Sequence, residues 1–240
     1  MGCNMQTPSK LAPYKYIFNE LLNLIYPAKC LVCSKVLPHD GLLAVCGFCS
    51  PAFEPAGEEV TGDFSFDRSF SFFEYNDSLR AIIHDIKFGK KAHKMAALTQ
   101  AAINLRGDKL PFYEPSRVFD AIVPVPLHKN RLKERGFNQA YVMAKVLSGF
   151  IGVPVDDGIC ERRVDNAPQS RVGRDGRVKN VTGVFSLTND SNARGKSYLL
   201  VDDIFTSGET LNSCAKAFKN AGAADISCVT IAVSSMRNPV

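Results

Sequence analysis

Three groups of residues in this chain could do chemistry. The first is a pair of adjacent carboxylates, Asp202 and Asp203, closing the apolar run Tyr198 to Val201; the second is the loop Thr206-Ser207-Gly208-Glu209-Thr210 just after it; the third is the quartet Cys30-x-x-Cys33 and Cys46-x-x-Cys49. The apolar run predicts a buried strand, and a helix is predicted to start near Thr210. A strand that empties through small hydroxyl residues into a helix start gathers unpaired backbone N–H groups and the positive end of the helix dipole at one place, which is a cradle for phosphate. Thr206, Ser207 and Thr210 add hydroxyl donors, and Gly208 permits close backbone approach. The lysine of a P-loop is missing. Carboxylates beside a phosphate would repel it, so Asp202 and Asp203 suit neutral hydroxyls or a hydrated magnesium ion. A sugar phosphate offers a partner to both halves. The competing reading of the same residues is a strand-to-helix turn whose Asp and Thr cap the helix.

The remaining groups fit polyanion and metal chemistry. Doubled Cys-x-x-Cys spacing predicts a tetrathiolate zinc site rather than a disulfide framework or a redox pair, and four thiolates leave His39 outside the shell. Lys87, Lys90, Lys91, His93 and Lys94 cluster at a helix-to-helix junction, and His128, Lys129, Arg131, Lys133 and Arg135 fill a basic loop from 127 to 136. Either cluster could meet an anionic substrate or nucleic acid, or be a solvated face. The net charge of +5 agrees with polyanionic ligands without separating them.

These groups must be positioned by a fold of 240 residues, enough for one α/β core with an appendage or for two small domains. No run is long enough to cross a bilayer, and the start lacks a basic stretch followed by an apolar segment, so a cytoplasmic protein is expected. Residues 1–13 are expected to be a disordered start. An amphipathic helix over 14–26 leads into the cysteine segment, giving a first unit over 14–57, with a linker from about 51 to 62 and the main domain over 58–240. Periodicity then predicts a strand over 67–75, helices over 76–88 and 92–105, and a strand from Val118 broken by Pro124 and Pro126. A helix over 138–150, short strands near 153–155, 158–164 and 184–187, the cradle strand, a helix to about Ala221 and a last strand over 226–233 complete the order. Strands alternating with helices imply a mainly parallel sheet with its site at the carboxyl ends of the strands.

Tyr198 to Thr210 resembles the signature of the phosphoribosyltransferases that use phosphoribosyl pyrophosphate (PRPP), and the likeness becomes specific elsewhere. Val123-Pro-Val-Pro-Leu-His128, Arg131 and Arg135-Gly-Phe-Asn-Gln139 resemble the central motif of the ComF late-competence family. Arg162, Gln169, Arg177, Asn180, Val181, Gly183 and Phe185 resemble its glycine-rich stretch, with Asn166 where the family has Thr. The resemblance implies a type I phosphoribosyltransferase-like fold, a mainly parallel sheet flanked by helices with a small N-terminal zinc-binding segment. It implies that Asp202 and Asp203 fix the ribose hydroxyls as the catalytic pair and that residues 206 to 210 hold the 5′-phosphate. Arg131 or Arg135, with Arg177 of the glycine-rich loop, are the candidates for the pyrophosphate, which arrives with magnesium, and Lys87 is a further candidate for binding PRPP or phosphate, while zinc is structural. The expected role is in natural transformation, with single-stranded DNA or other competence proteins as further partners. The alternatives are an active phosphoribosyltransferase of nucleotide metabolism and a non-catalytic nucleotide sensor that binds single-stranded DNA. No general base or acceptor pocket is legible.

Overall fold

Continuous apolar runs become the middle of a parallel sheet. A computed structural model of the protein describes residues 27–37, 44–56, 63–110, 118–164, 183–188 and 193–234. The helix expected over 14–26, the residues before it, His39, Gln169, Arg177 and Asn180 all lie outside these ranges. Four strands, β1 (Arg68–Glu74), β2 (Ala121–Pro124), β5 (Ser197–Phe205) and β6 (Asp225–Val233), form one sheet in the order β1-β6-β5-β2 with every pairing parallel. β5 and β6 lie in the middle, covered on both faces, which is why Leu199, Leu200, Val201 and Val229, Ile231, Ala232 read as largely apolar stretches rather than as alternation, with the buried Thr230 interrupting the second. Strands β3 (Cys160–Arg162) and β4 (Phe185–Leu187) form a separate antiparallel pair.

Helices α1 (Asp77–Phe88), α2 (Ala92–Arg106) and α4 (Gln139–Ile151) cover one face, where Ile83, Ile86, Met95, Leu98, Met143 and Leu147 meet Ile122, Leu199 and Val229. Helix α5 (Glu209–Asn220) and the β3–β4 pair cover the other, through Leu211, Phe218, Phe185 and Leu187 against Tyr198 and Ile226. Local chemistry fixes the ends of these helices. Asn76 accepts from the Leu79 N–H at 3.1 Å to open α1, and its buried residues Leu79, Ile82, Ile83 and Ile86 recur at helical spacing. Gly89 is the C-cap that ends α1, and the backbone turns left-handed one residue later, at Lys90, φ 54°.

Several segments differ from the sequence reading, among them residues 153–155, expected as a short strand, where Val155 makes only an isolated bridge to Ile122. Residues 129–135, expected as loop, form a short helix, α3 (Lys129–Arg135), because His128 caps it with Nδ1 accepting from the Asn130 N–H, and Gly136 ends it in the left-handed region at φ 79°. The start of the expected linker is also not free chain. Ser50–Ala52 make a 3-10 turn, Pro55 bridges Phe73 antiparallel to β1, and the Glu74 N–H donates to the Glu54 carbonyl at 2.9 Å. Phe53 packs edge-on against Phe73 at 5.2 Å, so the cysteine segment and the sheet share one apolar cluster containing Cys30, Val45, Cys49, Phe72 and Phe73. Burying side chains of this size stabilises by about 1.5–3 kcal/mol each, enough to seat the small cysteine segment on the sheet edge.

Candidate functional site

The carboxyl half of β5 carries the acids further into the sheet than expected. The strand runs on to Phe205, so Asp202 and Asp203 sit within it, with Asp202 in register with Thr230 of β6. The Asp203 N–H donates to the Asp202 Oδ1 at 2.9 Å, and the Lys87 Nζ, from the last turn of α1, lies 2.6 Å from the Asp203 Oδ2 with both side chains largely buried. Burial, reinforced by the negative charge of Asp203, pushes the Asp202 carboxyl up to about 7; the N–H of Asp203 and the charges of Lys87 and Arg162 pull against that rise. The two acids therefore differ in setting, one held in an ion pair and the other raised by burial and by its neighbour's charge.

Beyond Phe205 the chain turns through Thr206, Ser207 and Gly208 into α5. Thr206, Ser207, Glu209 and Thr210 are exposed, and no side chain caps the helix, so its first-turn N–H groups face outward beside hydroxyls. Gly208 is buried at φ 77°, and a Cβ there would stand 2.7 Å from the Phe205 Cζ and 2.9 Å from the Phe64 Cε1. The glycine is required by its backbone hand and by the two rings beneath it. Asn212 of α5 accepts from the Ser65 N–H at 2.7 Å, fixing the aromatic segment that supplies Phe64.

Three further elements converge on this end of the sheet. β2 ends at Pro124, and the Val125 carbonyl accepts from Asn138 Nδ2 at 3.0 Å while Asn138 Oδ1 accepts from the Ala140 N–H to cap α4. One asparagine thus joins the proline-broken strand end to the helix that follows the basic turn. Arg135 donates to the Gln139 Oε1 at 3.2 Å, and the buried Gln139 Nε2 has no protein partner. A Cβ on Gly136 would lie 3.8 Å from the Lys90 Cδ, so the two basic clusters, far apart in sequence, meet in space. Lys91 and Lys94 are already spoken for, at 2.8 and 2.6 Å from the two oxygens of Asp85, whose carboxyl is held below its usual range by the hydrogen bonds from both lysines. Arg162 lies over the Phe185 ring at 5.4 Å, and the Arg163 N–H donates to the Val184 carbonyl, which anchors both ends of the glycine-rich segment side by side.

The structure thus brings Asp202, Asp203, Lys87 and residues 206 to 210 to one region, and sets Arg131 and Arg135 on α3. Arg177 lies outside the described residues. The ion pair between Lys87 and Asp203 was not legible in the sequence, because 116 positions separate the partners and only the packing of α1 against the sheet joins them.

The four cysteines form a second site. Their sulfur atoms all lie within 4.8 Å of one another, with Cys33 Sγ and Cys46 Sγ at 3.7 Å. A tetrahedral zinc with bonds of about 2.3 Å needs sulfur edges of about 3.8 Å. The Cys46 N–H points at the Cys30 Sγ at 3.4 Å, the outer-shell donor expected of a knuckle. Burial opposes ionisation of Cys30, but the N–H groups of Cys33, Cys46 and Val32 outweigh it and bring the thiol down to about 6. Burial, and then hydrogen bonds from the other three thiols, push Cys49 up to about 12. The first thiolate forms readily and the last does not form without a cation, so the donor set fits a metal ion.

Comparison with known proteins bears on both sites. The family described as Phosphoribosyl transferase domain matches residues 132–238. DNA utilization protein YhgH of Escherichia coli is 27% identical over 82% of this chain and 86% of its own length. Competence protein F of Haemophilus influenzae is 26% identical over 84% and 90%, and Competence protein ComFC of Bacillus subtilis 31% over 67% and 62%. The family match and the parallel sheet flanked by helices establish a phosphoribosyltransferase-like fold. Among the described residues no helix is long and apolar enough to cross a membrane.

Proposed function

From membership of the ComF family, to which this chain belongs, we propose that it binds PRPP at the carboxyl end of β5 and acts in the handling of DNA during natural transformation. The observation that carries the binding reading is the sequence of groups along one strand end: two carboxylates in the sheet, then an exposed hydroxyl turn, then an uncapped helix start. Asp202 and Asp203 accept from the ribose hydroxyls. The turn and the first N–H groups of α5 receive the 5′-phosphate. Lys87, Arg131 and Arg135, with Arg177 from the glycine-rich segment, supply positive charge for the pyrophosphate. Magnesium, when bound, offsets charge on the pyrophosphate oxygens, and the Asp pair offers the hard oxygen donors such an ion takes. Cys30, Cys33, Cys46 and Cys49 hold one structural zinc, which stiffens the knuckle against the sheet edge.

The role in transformation follows the names of the relatives and the family, and a deletion strain that transforms as well as its parent would remove it. Turnover of PRPP is a separate question from binding, and Asp202, whose carboxyl is raised to about 7, is assigned here to the ribose. Calorimetry with PRPP and magnesium tests the binding reading. The wild-type protein should release heat on a saturable curve, and the double variant Asp202→Asn, Asp203→Asn should bind about a hundredfold more weakly, the loss of two charge-assisted hydrogen bonds. Equal affinity in both would end the assignment.

A further inference from the structure

Lys87 occupies one oxygen of an acid assigned to the sugar's hydroxyls. Its ammonium lies 2.6 Å from the Asp203 Oδ2, both side chains are largely buried, and Asp203 is one of the two acids assigned to the ribose. A ligand whose hydroxyl takes the Oδ2 of Asp203 therefore displaces this ammonium. A largely buried cation left without an anion is strongly disfavoured, so the displaced group needs a new partner nearby.

Several neighbouring cations already have partners of their own. Lys91 and Lys94 are committed to Asp85, and Arg162 rests on Phe185. Lys90 has its backbone in the left-handed region and its stem beside Gly136. Lys87 is in direct contact with Asp203, and its flexible four-carbon stem can swing from one anion to another.

We propose that Lys87 is a specificity-determining residue that makes the site prefer PRPP over ribose phosphates lacking the pyrophosphate. The inference rests on the PRPP reading above. In the free protein the lysine occupies Asp203. Ribose 5-phosphate fills the phosphate turn and competes for Asp203, but gives the displaced ammonium nothing in return. PRPP places a pyrophosphate at C1, close to the hydroxyls, and the ammonium transfers to it. The ion pair is a toll on every ligand, refunded only to one that carries a second anion.

Calorimetry in magnesium with PRPP and with ribose 5-phosphate, on wild type, Lys87→Met and Lys87→Gln, tests this. Wild type should prefer PRPP by about thirtyfold or more. In Lys87→Met, ribose 5-phosphate should bind about fivefold tighter and PRPP about tenfold weaker. Lys87→Gln, which keeps reach and polarity, should shift both in the same directions and serves if the methionine variant does not fold. If wild type binds PRPP but ribose 5-phosphate gains nothing in the folded variants, the inference on Lys87 falls and the PRPP reading stands. If wild type binds neither ligand, both fall together.

Discussion

Replacing Gly208 by alanine should destabilise the protein in two separable ways. The residue has φ 77°, a conformation that costs an alanine about 1 kcal/mol, and the new methyl would stand 2.7 Å from the Phe205 Cζ and 2.9 Å from the Phe64 Cε1. Phe205 is buried and both rings pack against Phe66, so relief requires shifting a ring cluster, at about 1–3 kcal/mol. Gly152 provides the control. It has φ 76°, but nothing lies within 4 Å of where its methyl would be. Gly152→Ala should therefore cost about 1 kcal/mol and Gly208→Ala about 2–4 kcal/mol. Urea unfolding of the three proteins measures both, with the midpoint shifting while the slope stays constant. If Gly208→Ala is no worse than Gly152→Ala, the rings do not support the turn as described. The same substitution should weaken PRPP binding, because the turn that it moves is the one assigned to the 5′-phosphate.

Two further outcomes follow from the site. Asp202 has its carboxyl raised to about 7, above an unfolded value of about 4, so the folded state holds the proton more tightly; raising the pH from about 4 to 7 should lower stability, on the order of a few kcal/mol, and have no further effect beyond that window. Asp202→Asn should remove this slope, and a wild type whose stability relative to that variant rises over the window would contradict the shift. Purified protein should contain about one zinc per chain. Stripping it with a chelator should lower the melting temperature of the sheet as well as the knuckle, since Cys30, Cys49 and Phe53 share a cluster with Phe72 and Phe73; a melting temperature unchanged in metal-free protein would separate the two.

The sheet was legible because its evidence is local. Val118 to Pro126, Tyr198 to Val201 and Ile226 to Val233 are short apolar runs with turn signals at their ends, and α1 shows helical spacing at Leu79, Ile82, Ile83 and Ile86. The acid pair and the hydroxyl turn were legible for the same reason, being contiguous. What escaped was set by tertiary contact or by caps of mixed character. A histidine N-cap with a glycine stop made α3 helical where its charge density read as loop. The bridge from Pro55 to Phe73 turned the start of a linker, by composition, into a packed edge. The depth of Asp202 within β5, and with it the difference between the two acids, depends on β6 and on Lys87 from α1, which no spacing along the chain encodes.

A crystal structure with PRPP and magnesium tests the central claim most directly. The account predicts ribose 2′ and 3′ hydroxyls within hydrogen-bonding distance of the Asp202 and Asp203 carboxylates, with the 5′-phosphate on the N–H groups and hydroxyls of residues 206 to 210. Ligand density at any other place, with Asp203 still paired to Lys87 and the turn empty, would contradict it.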